Sequence, residues 1–169
     1  YGLPFNVLFD DVNKLLLEGG DDNYYLISNI IRKPKLQDSE YNFNFLKNIL
    51  ILTLDRLYLS SLVIRLQYKI ETRAALICLI NSVFCAVLNI GSQVKAEKRI
   101  AKLIYDSMND KFILSNTRKL LIHSVFIFCK GHFLSMIDVV NEIKLLEEGL
   151  FKKIKQGEVD TVNTFPIVR

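Results

Sequence analysis

The chain has 169 residues, half of them apolar and 24% charged, with a formal net charge of +4. That length can enclose a genuine core, and the composition excludes disordered, collagen-like and disulfide-rich secreted classes. Seven glycines and three prolines are sparse punctuation, which suits long helices on short loops better than many strands.

The first helix is expected to begin at Pro4, a favoured first-turn residue. It carries Phe5, Leu8, Phe9, Val12, Leu15 and Leu16 at helical spacing, and Gly19-Gly20 ends it. Asp21 or Asp22 can cap a short second helix bearing Tyr25, Leu26, Ile30 and Ile31, which must end before Pro34. Lys33 to Asp38 reads as a loop. Ser39 can then cap a long apolar run from Tyr41 to Lys69, as one helix or as two with a break near Ser60-Ser61. β-branched Ile51, Thr53, Val63 and Ile64 leave a strand reading open there.

Ala74 to Ile90 is a run of 17 uncharged residues, AALICLINSVFCAVLNI. A membrane span needs about 20 predominantly apolar residues. This run is shorter and contains Asn81, Ser82 and Asn89, so it reads as a buried central helix over 71–90 and a membrane contact is not expected. Ser92 starts an amphipathic helix to about Asn109, with Val94, Ile100, Leu103, Ile104 and Met108 inward. Ser115 or Asn116 opens another through Leu120, Leu121, Val125 and Phe128, stopping at Gly131. The last helix spans about Phe133 to Lys155, with Ile137, Val140, Ile143, Leu146, Leu150 and Ile154 as its stripe. Residues 158–169 lack a helical period and are expected to be extended or disordered.

The pattern predicts an all-α domain over 1–157 with six to eight helices. Two arrangements fit: a compact bundle around the hydrophobic helix at 74–90, or a short solenoid-like helical repeat. Because the chain opens at Tyr1 rather than methionine, it is expected to be part of something longer. Cys78, Cys85 and Cys129 make an odd count, and a seven-residue helical spacing puts Cys78 and Cys85 about 10.5 Å apart, beyond disulfide reach. No Asn-x-Ser/Thr sequon occurs, so an intracellular, reducing compartment (cytoplasmic or nuclear) is expected.

Residue constellations for chemistry are missing. Cys129 and His132 are three apart, but a zinc site needs three or four such ligands, and a cysteine inside VFIFC behaves as a small hydrophobe. His123 reads as a half-buried hydrogen-bonded residue. The acidic pairs Asp10-Asp11, Asp21-Asp22 and Glu147-Glu148 diverge by about 100° on a helix and imply no shared proton or metal. Neither a phosphate-binding glycine loop nor a nucleophile elbow occurs. The expectation is a non-enzyme without catalytic, cofactor or metal residues.

Charge is more informative. Residues 1–60 hold six basic and eight acidic side chains, whereas 92–130 hold eight basic against three acidic, a net +5. Lys95, Lys98, Arg99 and Lys102 fall on one side of one helix, and Arg118 and Lys119 follow on the next. Such a row is ordinarily a solvated face, yet it can also meet phosphates or an acidic surface. Two functions follow as expectations. One is a helical protein–protein interaction or scaffolding module that binds a partner subunit or amphipathic helix, with self-association included. The alternative is a viral or regulatory nucleic-acid-binding domain using the 92–130 surface, with Tyr24, Tyr25, Tyr41, Tyr58, Tyr68 and Tyr105 as candidate stacking residues.

Overall fold

The structure, a computed structural model, describes residues 5–32, 39–62, 70–90, 94–111 and 113–155; for 5–9, 61–62 and 150–155 the description is of the helical backbone. It is an all-α multi-helix bundle with seven helices among the described residues. These are α1 (Phe5–Glu18), α2 (Asp21–Arg32), α3 (Glu40–Leu62), α4 (Ile70–Leu88), α5 (Ala96–Met108), α6 (Ser115–Gly131) and α7 (Met136–Lys155). Contacts divide the chain into two compact units, Tyr1–Ser92 and Gln93–Arg169. Pro4, Pro34, Ser92 and the 158–169 tail lie outside the described residues.

In the first unit α4 packs against both α2 and α3, and α1 packs against α2. The reason is compositional: α4 has too much apolar circumference for one neighbour to cover. It buries Ala75, Leu76, Leu79, Ile80, Val83, Phe84, Ala86 and Val87, so most of the uncharged run is core, as expected. By length and composition alone α4 could cross a membrane, yet half of its most apolar window is buried inside the protein. Ile70 and Ile77 stay exposed on its outer side.

α3 runs as one helix through Ser60-Ser61. Ile51 and Thr53 sit inside it, which overturns the strand reading for those two; Val63 and Ile64 lie outside the described residues. Ser39 caps α3 as expected: its Oγ accepts from the Asn42 N–H at 3.2 Å. The buried hydroxyls satisfy themselves locally. Thr53 Oγ1 donates to the Ile49 carbonyl at 2.6 Å and Ser28 Oγ to the Tyr24 carbonyl at 2.9 Å, the back-bonding that lets such residues sit in a core helix.

The α2 stripe differs from the expectation. Tyr24, Ile27, Ser28 and Ile31 are buried, while Tyr25 and Leu26 are exposed. The helix is rotated so that Tyr24 reaches inward, its hydroxyl accepting from Arg56 Nη1 at 2.9 Å with the guanidinium 5.7 Å from the ring centroid. Tyr24 is therefore not a surface stacking residue. Neither aspartate caps α2: Gly20 precedes its first turn, accepting from the Tyr24 N–H at 3.0 Å. Asp21 instead accepts from Thr72 Oγ1 of α4 at 2.7 Å, and Arg32 Nε donates to Ser82 Oγ of α4 at 2.7 Å. Each end of α2 is thus pinned to α4 by one polar contact.

In the second unit α5 packs broadly on α7, and α6 touches α7 lightly. α5 buries Ile100, Leu103, Ile104 and Met108 as expected, but Val94 lies before its first turn and is exposed. α7 starts at Met136 and buries Val139 and Ile143, leaving Ile137 exposed where an inward position was expected. Ser135 Oγ accepts from the Asp138 N–H at 3.2 Å, which sets that start. Leu150 and Ile154 fall in the backbone-only part of α7.

Gly19 and Gly20 join α1 to α2 with φ of 71° and 100°, values that L side chains rarely adopt. A Cβ on Gly19 would also stand 3.3 Å from Tyr24 Oη and 3.5 Å from Arg56 Nη1. Left-handed backbone costs an L residue roughly 1–2 kcal/mol, of which the reduced freedom of the unfolded chain returns about 0.4–1. Gly19→Ala should therefore destabilise the protein by about 1 kcal/mol in urea unfolding, and Gly20→Ala should cost at least as much despite the open space around it, because its φ lies further outside the left-handed well.

Candidate interaction surface

α5 begins after Lys95, whose backbone (φ −52°, ψ 145°) is extended and makes no side-chain cap. From there Lys95, Lys98, Arg99 and Lys102 recur every three or four residues, opposite the buried stripe of Ile100, Leu103 and Ile104. Lys95 and Lys98 are exposed; Arg99 and Lys102 are half-buried. One of the four is already engaged: Lys102 Nζ pairs with Asp106 Oδ2 at 2.9 Å, with the two side chains 31% and 27% exposed. An i,i+4 pair of that exposure contributes a few tenths of a kcal/mol, but it offsets one charge of the row. Glu97 offsets another from the same first turn. The row is shorter in net charge than its cation count suggests.

Arg118 and Lys119 follow each other on α6 and so diverge. Arg118 is half-buried; Lys119 is exposed. Helix spacing joins Lys119 instead to Ile122, His123 and Phe126. Here the structure differs most from the sequence reading. α6 turns Thr117, Leu121, Val125, Phe128 and Cys129 inward, and Leu120 is only half-buried. Its outer side then leaves Ile122, Phe126 and Ile127 in solvent, at 39%, 55% and 55% exposure. Lys119 and Lys130 are exposed at the two ends of that stripe, and α6 contains no acidic residue.

The turn after α6 extends this surface. Gly131 is the last helical residue as expected, but it is not the left-handed one. That role falls to Phe133, at φ 56°, where helix ends usually place glycine. The Leu134 N–H returns to the Cys129 carbonyl at 2.9 Å, closing the turn. Phe133 itself is 98% exposed, so an aromatic ring stands in water on a strained backbone with no packing gain among the described residues. Ile137, in the first turn of α7, is exposed beside it in sequence.

No catalytic pairing emerges at Cys129 and His132. Burial, followed by the charge of Glu97, pushes the Cys129 thiol above its ordinary pKa, which suppresses the nucleophilic thiolate. His132 turns away: its Nδ1 lies 3.0 Å from the Phe128 carbonyl, which can only accept, and its ring stacks on Phe128 at 4.0 Å. His123 is exposed rather than half-buried. No cluster of three or more metal-binding side chains occurs among the described residues. Cys78, Cys85 and Cys129 are free thiols.

Tyr105, the one tyrosine in the basic segment, is half-buried. Its hydroxyl oxygen is covered and has no hydrogen-bond partner among the described residues. Burial, then the carboxylates of Glu147 on α7 and Asp106, push its pKa up to about 12. It is a poor stacking platform.

Comparison with known proteins returns no matching family model, no matching curated protein and no matching solved structure.

Two measurements check this geometry. Phe133→Gly relieves roughly 1–2 kcal/mol of left-handed strain and loses about 0.4–1 to unfolded-state entropy, so thermal unfolding should show a gain of up to ~1 kcal/mol. Tyr105→Phe removes a covered, unsatisfied hydroxyl and should stabilise by about 1 kcal/mol at neutral pH. The folded pKa of Tyr105 lies above the unfolded value of about 10, so the folded state holds the proton more tightly. The stability that this linkage contributes is present below pH ~10 and is lost as pH rises toward 12. The phenylalanine variant should therefore lose less stability than the parent over that alkaline window.

Proposed function

We propose that the chain is a non-enzymatic helical interaction module, and that it meets its protein partner through the outer side of α6 and the turn that follows. The observation that carries this reading is Phe133, almost wholly exposed at positive φ, in the turn that follows the helix bearing the exposed Phe126 and Ile127. Apolar side chains scattered singly over a surface are ordinary. Such are Leu17 and Ile70 in the first unit, or Tyr41, Leu52 and Leu59 along α3 among polar neighbours. On α6 they fall on successive turns and end in a residue held against its backbone preference. Strain of this kind persists where it serves a site. Aromatic anchors are also among the residue types enriched in protein interfaces.

The nucleic-acid reading rests on the exposed Lys95 and Lys98. It is weakened by the Lys102–Asp106 pair and by the covered Tyr105 hydroxyl, which leave a short row with no stacking partner from that helix.

The test is a photo-crosslinking amino acid placed at Phe126 in cells, with the same residue at Lys14 of α1 as an exposed control. A discrete protein adduct at Phe126 and none at Lys14 is the expected result. Nucleic acid that copurifies with the chain, leaves it in high salt, and is lost in a Lys98→Glu, Arg99→Glu, Lys102→Glu variant would transfer the function to α5.

A further inference from the structure

We infer that the partner on this surface is a second copy of the chain: the outer side of α6 of each copy lies against the first half of α7 of the other. The inference rests on the interaction reading above and names its occupant.

Charge is the first argument. α6 carries Arg118, Lys119 and Lys130 and no acid, whereas α7 from Met136 to Glu148 carries Asp138, Glu142, Glu147 and Glu148 against Lys144 alone. The first half of α7 is thus opposite in charge to α6, although Lys152, Lys153 and Lys155 balance the helix as a whole, and both belong to the same unit. A two-fold pairing therefore brings each basic α6 to an acidic α7 twice over, which is what an isologous interface requires. Apolar chemistry is the second argument. α6 offers Ile122, Phe126 and Ile127, and α7 offers Ile137 and Leu145, exposed at 75% and 58%. Each helix thus presents uncovered apolar side chains between charges of one prevailing sign.

Area is the third. Large apolar side chains bury on the order of 200 Å² each. The exposed fractions of Ile122, Phe126, Ile127, Phe133, Ile137 and Leu145 then leave on the order of 700 Å² in water, close to the ~800 Å² that each partner of a standard interface buries. Phe133 is the residue that gains most. Self-pairing gives its ring the packing that the single chain does not supply.

The experiment is mass in solution by light scattering over a concentration series, with helical circular dichroism as a check on folding. The whole chain should show a concentration-dependent dimer mass. A variant with α6 reversed (Lys119→Glu, Lys130→Glu) and one with α7 reversed (Glu142→Lys, Glu148→Lys) should each be monomeric alone. Mixed in equal amounts they should regain the dimer mass, because reversed α6 meets reversed α7 at one contact of the mixed pair and native α6 meets native α7 at the other. Phe126→Asp should give a monomer with unchanged helicity.

A monomer at every concentration overturns the inference, and so does a dimer that survives in both charge-reversed variants alone. A monomeric chain that sediments with phosphatidylglycerol vesicles also overturns it and assigns the face to an anionic membrane surface. The photo-adduct separates the two readings. An adduct at Phe126 whose mass is not twice that of the chain, from a chain that is monomeric, leaves the interaction reading standing and removes only self-pairing.

Discussion

A helix can turn only part of its circumference to its neighbours, and this chain has more apolar side chains than the seven helices among its described residues hide. Half its residues are apolar, and they are shared between two compact units, each smaller than a typical domain. Small units bury a smaller fraction of their surface. The balance is met where helices have two neighbours and fails where they have little contact. α4 sits against both α2 and α3, and its uncharged sequence becomes core. α6 meets α7 lightly, and its equally apolar sequence LLIHSVFIF ends up with one side in water. The same composition gives a core in one place and a surface in the other, and packing opportunity decides which.

Apolar burial is non-directional, so it cannot by itself set the rotation of one helix against another. In the first unit polar contacts do that. Thr72 to Asp21 and Arg32 to Ser82 fix both ends of α2 along α4, and Tyr24 to Arg56 fixes its rotation toward α3. Each contributes only ~1 kcal/mol net, or somewhat more where a charge takes part. Their larger effect is on uniqueness, because any other rotation strands a polar group in the core. Ser82 shows the economy of the arrangement: its oxygen accepts from Arg32 and its proton goes to the Cys78 carbonyl at 2.9 Å.

The start of α3 and the ends of α1 and α6 were legible in the sequence because caps are local chemistry, whereas α5 and α7 start three to four residues later than their patterns suggested. Ser39 caps α3, Gly19-Gly20 closes α1, and Gly131 closes α6, each within a residue or two of its own helix end. The buried fate of Cys129 was legible from its apolar neighbours for the same reason. Helix rotation was not. In α2, Tyr24-Tyr25-Leu26-Ile27 offers two stripes of similar hydropathy, and the choice depends on Arg56, 32 residues away. In α7, Val139 and Val140 pose the same ambiguity, and the later start at Met136 resolves it. The α5 row was legible as a stripe of cations, while the neutralising Lys102–Asp106 contact needed the side-chain geometry. The α6 surface was hidden because a run that is apolar all round carries no phase; Phe126 and Phe128 look alike in sequence although one is exposed and the other buried. The one available signal was the placement of Lys119, His123 and Lys130, which all fall on the side that stays wet.

Phe133 connects these threads. A chain free to choose would end α6 with glycine in the left-handed position, and it has one glycine two residues earlier, in a position that needs none. An exposed phenylalanine there costs backbone strain and, in water, leaves its ring uncovered. Neither cost is recovered by anything the ring touches within the described residues of its own unit. In a complex the balance changes: covering the ring recovers its apolar area, and a backbone already held by the closed turn loses little freedom on binding. The like-charged rim then has a distinct task. Cations at both ends of an apolar stripe reject a surface of the same sign and orient one of the opposite sign before contact. In this reading the apolar centre gives the surface its affinity and the absence of any carboxylate on α6 gives it direction.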